Sequence, residues 1–138
     1  MWQWPRDEQL AWAAGLFDGE GTTSVSGPWD TPQVTVPQSG SALPEVLVRY
    51  QLIVGCGSVL GPELARERRP RWTVQSSGPK AIRVLEALWP YLGPIKRQQA
   101  HAALEKYRRH PTPSRRIAAL TGRPHIRRLG RTRGVIGP

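Results

Sequence analysis

A glycine stands inside the first helical pattern of this chain and limits how that helix can be used. Residues 7–19, DEQLAWAAGLFDG, read as a helix. Asp7 and Glu8 stand where the positive end of the helix dipole favours acids. Leu10, Ala13, Ala14 and Phe17 recur at helical spacing, and Ala11, Gly15 and Asp18 form an adjacent stripe. A mid-helix glycine costs about 1 kcal/mol relative to alanine. The small stripe of Ala11, Ala14 and Gly15 offsets that cost where a second helix packs very close. The pattern then ends at Gly19 and Gly21, which hold an acid, Glu20, between them. Glycine permits unusual backbone angles and close approach. The expectation is a pair of helices whose tips bring carboxylates together.

Beyond Gly21 the chain alternates between strand and helix signals. Residues 21–26 (GTTSVS) and 33–38, around Val34 and Val36, read as strands joined by a turn at 28–32, a hairpin pattern. Residues 42–53 form an apolar-periodic helix with Pro44 near its start, broken by Gly55 and Gly57. A short strand at 58–60, a charged loop at 61–70 and a strand at 71–76 come next. Residues 79–92 predict a helix with Ile82, Leu85, Leu88 and Trp89 inward. Residues 95–109 predict a last helix with Ala100, Ala103, Leu104 and Tyr107 on its apolar side. Paired strands between helices indicate an α+β domain: an antiparallel sheet with helices on one face. The other face then carries Thr22, Ser24, Gln33, Thr35, Arg71, Thr73 and Gln75. Such a face is either simply solvated or a concave reader of DNA, since β-ribbons enter the major groove.

Charge favours the second reading. The 138 residues carry 20 Lys+Arg against 10 Asp+Glu, a formal net charge of +10. Residues 1–110 hold thirteen basic and all ten acidic residues, a net +3, and residues 111–138 hold seven arginines and no acid, a net +7. Basic stretches favour polyanions, because neutralised phosphates release condensed counterions. Residues 1–110 read as one domain and 111–138 as an Arg-rich tail. The tail, with Arg115 and Arg116 in a short helical stretch at 115–121, is either a solubilising extension or a DNA-binding arm. Cys56 is the single cysteine, which excludes an intrachain disulfide. His101, His110 and His125 show no metal-ligand spacing. No apolar run approaches a membrane span, and the polar opening stretch reads as no signal peptide, so a soluble, cytoplasmic protein is expected.

The stretch AAGLFDGEG, within LAWAAGLFDGEGTTSV, resembles the LAGLIDADG motif in its FDGEG form. The segments VTVPQSGSALPEVLVRYQLIVGCGSV and RWTVQSSGPKAIRVLEALWPYLGPIKRQQAHAALEKY are similar to the strands, helices and glycine-rich turn that come after the motif in LAGLIDADG homing endonucleases. The likeness runs over about residues 8–109. It implies a saddle-shaped antiparallel sheet that binds double-stranded DNA, with helices behind it. It implies a homodimer, since one motif supplies one acid where two are needed, and Ala11, Ala14, Gly15 and Asp18 then line the helix pair. Glu20 becomes the acid that binds magnesium or manganese beside the scissile phosphates of a roughly palindromic site.

By the same resemblance Lys96 stands where the family carries a basic residue near those phosphates, and Arg97, one step on, is the alternative register and a DNA contact. Gln38 stands where the family organises water. Asp18 is expected at a helix end or the interface rather than on metal. The sequence also departs from the pattern: Ala13 replaces a common leucine, Gly40 and Ser41 replace an acid and proline, and Pro37 demands a strand edge or bulge. A non-cleaving DNA- or RNA-binding protein of this fold, such as an intron maturase or a regulator, is the other function the resemblance leaves open.

Overall fold

The structure, a computed structural model, describes residues 4–112. The folded domain is the compact unit that ends at Tyr107. The elements run α1 (Arg6–Glu20), β1 (Thr22–Ser26), β2 (Thr31–Ser39), α2 (Glu45–Val54), β3 (Ser58–Glu63), β4 (Arg71–Ser77), α3 (Pro79–Leu88), a 3-10 helix (Trp89–Tyr91) and α4 (Pro94–Arg108). This is the predicted order. The four strands form one sheet, β1-β2-β4-β3, with every neighbouring pair antiparallel. Among the described residues no helix is long and apolar enough to cross a membrane.

Alternation along the central strands decides which side the helices take. Val34 and Val36 of β2 and Val74 of β4 are buried and share one core with Phe17, Leu47, Tyr50, Ile53, Val84, Leu85 and Leu88 from the helices. Each such side chain contributes about 1.5–3 kcal/mol on full burial. Burial also pushes the Tyr50 hydroxyl well above its ordinary pKa, with Cys56 adding to the effect. The helix α2 begins after Pro44 and stops at Gly55 in the left-handed conformation, φ 77°. The Arg6 guanidinium donates to the Ile53 carbonyl at 2.8 Å, near this end. Arg49 lies over the rings of Trp12 and Trp4, at 5.1 and 5.9 Å, so Trp4 packs the N-terminal segment onto the domain; Trp2 lies outside the described residues.

Three local expectations need correction. The inward face of α3 is Ala81, Val84, Leu85 and Leu88, with Ile82 turned partly out. That helix also ends earlier than predicted: Pro90 has no N–H to continue the α-helical ladder, and Trp89–Tyr91 tightens into the 3-10 turn. The strand β3 extends to Glu63, so the connection to β4 is shorter than the predicted loop.

Two contacts carry the chain from α1 into the sheet and fix where α4 begins. Gly21 has ordinary extended angles, φ −82° and ψ 160°, so it is there for room, not for conformation. A Cβ at this position would stand 2.6 Å from Cγ of the fully buried Phe17 ring. Asp18 sits at the unfavourable end of its own helix dipole, but both its oxygens accept from the Gly93 backbone N–H, at 3.0 and 3.1 Å. Gly93 immediately precedes α4, so Asp18 acts as that helix's cap, delivered from α1.

Gly21→Ala is expected to destabilise the fold by about 1–3 kcal/mol through overpacking against Phe17, read as a lower urea midpoint. Asp18→Ala should cost about 1–3 kcal/mol, the range for hydrogen bonds to a charged group; an unchanged midpoint would show that α4 starts without this cap.

Candidate nucleic-acid interface and acidic site

The predicted polar face assembles. Strand pairing sets Thr22 opposite Thr35 and Ser24 opposite Gln33 between β1 and β2. Between β2 and β4 it sets Thr35 opposite Gln75, Pro37 opposite Thr73 and Ser39 opposite Arg71. Paired residues share a face, so Thr22, Ser24, Gln33, Thr35, Arg71, Thr73 and Gln75 all stand on the side away from the helices. All are exposed or partly exposed. No acid interrupts this row on β1, β2 or β4. Pairing of β3 with β4 adds Ser58 and Leu60 opposite Gln75 and Thr73. These two were not expected on the face, although alternation around Val59 is a signal for them. Leu60 is 45% exposed there, an apolar group of the kind that contacts a thymine methyl.

The acidic site lies where this face loses its edge strand. The first residue of β1, Thr22, pairs with Thr35, so the last four residues of β2 have no β1 partner. Pro37 falls in that stretch, as the missing N–H requires. An open hollow of about 340 Å³ lies here, lined by Glu20, Pro37, Gln38, Ser39 and Arg71. Glu20 is exposed at the C-terminal end of α1, which has no basic residue in its last turn. Carboxylate and dipole end therefore add to one local negative potential that favours a cation. Gln38 continues the helix-side row of Val34 and Val36 and is half-buried at the hollow's wall.

Lys96, from the first turn of α4, donates from Nζ to the Gly21 carbonyl at 2.6 Å, next to Glu20 in the chain. Arg97 turns elsewhere. Its Nε and Nη2 donate to the Trp89 carbonyl at 3.2 and 2.9 Å, and its guanidinium lies 5.6 Å from the Trp89 ring centre. Of the two neighbours, Lys96 is the one that bonds to the residue after Glu20, and Arg97 is held at Trp89. Arg115, Arg116 and the 115–121 stretch lie outside the described residues, as does His125.

The expected helix-pair surface needs one substitution in its membership. Ala14 is fully buried in this chain's own core, so it cannot meet a partner. The exposed small residues on α1 are Ala11, Gly15 and Gly19, and a Cβ on Gly15 or Gly19 would meet nothing within 4 Å. Asp18 is half-buried and engaged with Gly93.

Glu20, the Gln38 amide oxygen and the Ser39 hydroxyl are hard oxygen donors of the kind that magnesium and calcium take. Among the described residues no three His, Cys, Asp or Glu side chains come together. Glu20 is the one carboxylate among the residues that line this hollow.

No protein-family model matches the chain, and no curated protein matches it. Among solved structures it is similar to the homing endonuclease I-CvuI, determined in complex with its target in the presence of calcium. The two share 26% identity at a TM-score of 0.55, over 72% of this chain. The match spans 66% of the I-CvuI chain, just under two thirds of its length. I-CvuI is a member of the LAGLIDADG family. Motif, strand order and solved neighbour agree on the fold: the domain is built like that of the LAGLIDADG homing endonuclease I-CvuI, and its described residues carry one copy of the motif.

Proposed function

We propose that the protein is a site-specific double-stranded DNA endonuclease that acts as a pair of identical chains with magnesium or manganese. The observation that carries this reading is the position of Glu20: at the rim of a polar sheet face whose strands β1, β2 and β4 carry no acid, in the hollow left where β2 outruns β1. A duplex laid along the face through Thr22, Ser24, Gln33, Thr35, Thr73, Gln75 and Arg71 brings a backbone phosphate to that hollow. The likeness to a homing endonuclease solved on its target supports the same substrate. A DNA substrate makes the site of action intracellular.

Each residue then has a role its surroundings suit. Glu20 would hold the metal, with oxygens of the DNA and of the partner chain's equivalent residue available to complete the set. When bound, the metal would supply Lewis acidity to the scissile phosphate and to a water. Gln38, at the wall, orients water by its amide. Lys96 offsets developing negative charge, and its bond to the Gly21 carbonyl keeps the ammonium beside the acid. Pairing follows from α1: Ala11, Gly15 and Gly19 leave a strip without bulky side chains, and a second α1 laid along it brings the two Glu20 carboxylates together. A twofold pair of this kind reads a roughly palindromic site.

Glu20→Gln keeps the side chain's size and removes its charge. In magnesium, with DNA spanning the gene's insertion site as substrate, the variant should lose at least about a hundredfold in cutting rate, since metal stabilisation is worth several kcal/mol, while retaining DNA binding. Binding without cutting in the unaltered chain, in magnesium and in manganese, would instead favour the maturase or regulator reading. Gly15→Ala separates pairing from folding. In a lone chain it stabilises the helix by about 1 kcal/mol; between packed helices it costs about 1–3 kcal/mol, so the dimer dissociation constant should rise about tenfold or more. Sedimentation at graded concentrations reads this directly, and an unchanged dimer would remove α1 from the interface.

A further inference from the structure

The connection from β3 to β4 places four arginines within residues 66–71, against one acid, Glu67. It is held in a defined shape. The Arg68 N–H donates to the Ala65 carbonyl at 3.3 Å across a turn with Glu67 at φ 62°. The Pro70 carbonyl accepts from the Gly40 N–H at 2.9 Å, and the Trp72 indole N–H donates to the Gly40 carbonyl at 3.0 Å. These bonds fasten the start of β4 to the end of β2. As a result Arg68, Arg69 and Arg71 line one small hollow of about 30 Å³ together with Ser39, Glu63 and Ala65. Ser39 and Arg71 also line the Glu20 hollow, so the two depressions adjoin. The nearest counter-charge is weak: Arg71 Nε stands 3.9 Å from Glu63 Oε1, with the side chains 47% and 72% exposed, and water screens such a pair.

We infer that Arg68, Arg69 and Arg71 form a phosphate shelf for the backbone of double-stranded DNA, adjoining the Glu20 hollow and setting the strand's position against it. The inference rests on the DNA-cutting reading for its purpose but not for its chemistry. Guanidinium forks match phosphate oxygens two at a time. Three of them beside a polar face on which Glu63 is the one strand acid suit a run of phosphates. Arg71 is the hinge between the two sites, shared by the shelf and by the hollow that holds Glu20. Glu63 competes for Arg71 when no phosphate is present.

The test uses the full chain carrying Glu20→Gln, so that no probe is consumed, and a mixed-sequence DNA duplex. Binding is followed by fluorescence anisotropy between about 50 and 200 mM salt. Adding Arg68→Gln with Arg69→Gln should make the slope of log affinity against log salt shallower by about 1.8 per bound chain, and Arg71→Gln by about 0.9. Glu63→Gln should tighten binding by about two- to fivefold, the range for release of an exposed ion pair. An unchanged slope in the arginine variants, at unchanged melting temperature, overturns the shelf. So does a slope that falls on single-stranded RNA but not on the duplex. Because the slope is read without cutting, failure of the nuclease reading leaves this test intact. An unchanged slope, with the original chain still cutting DNA, removes the shelf alone.

Discussion

The contact between the Phe17 ring and the backbone of Gly21 is the constraint around which the domain is arranged. Phe17 is fully buried at the centre of the helix-side core, and Gly21 begins the turn into β1. Because the ring occupies the room a side chain would need, the chain passes from helix to strand within one residue. That abrupt passage leaves Glu20 exposed at the join and starts β1 only at Thr22. The shortfall of β1 against β2 opens the hollow. An acid site at the rim of the sheet is thus a consequence of how tightly the motif helix meets it.

The same join organises α4. Asp18 accepts from the Gly93 N–H at the start of that helix, and the Gly21 carbonyl accepts from Lys96 Nζ. In both bonds the donor comes from the start of α4 and the acceptor from the end of α1. Together they hold the start of α4 against the end of α1, with the Lys96 ammonium engaged by the Gly21 carbonyl. On the proposed reading, the Glu20 carboxylate is then left for a metal and the ammonium for developing negative charge. Arg71 gives the hollow a cationic side chain and also lines the smaller hollow of Arg68 and Arg69.

Much of this was legible in the residues. Period-two alternation placed Thr22, Ser24, Gln33, Thr35, Arg71, Thr73 and Gln75 on one face, because a strand has only two faces and the valines name one of them. The motif marked Glu20, and a strand unpaired on one side at Pro37 followed from its missing N–H. Helices were read less well. A helix offers a continuum of faces at 100° steps, and small residues give little contrast between them. Ala14 was therefore assigned to a partner's side although it lies in the core, and Ile82 was taken as inward where Ala81 is. Lys96 and Arg97 are adjacent cations, and nothing in their order says which one reaches the end of α1; in the fold it is Lys96, bonded to the Gly21 carbonyl, while Arg97 bonds to Trp89.

The kind of domain is written in the chain: one motif, paired strands between helices, a polar row with an arginine and an acid at its head. These features arise from local periodicity and from residue types whose backbone preferences need no distant partner. Which residues share the hollow is instead a property of the folded arrangement. Glu20, Gln38 and Arg71 come from three separate elements, and their meeting depends on strand register and on the unequal lengths of β1 and β2. The same holds for Arg68 and Arg69, which are an ordinary charged loop in sequence. They become part of a site because Pro70 and Trp72 bond to Gly40 across 30 and 32 residues of chain, a distance over which no local pattern carries information.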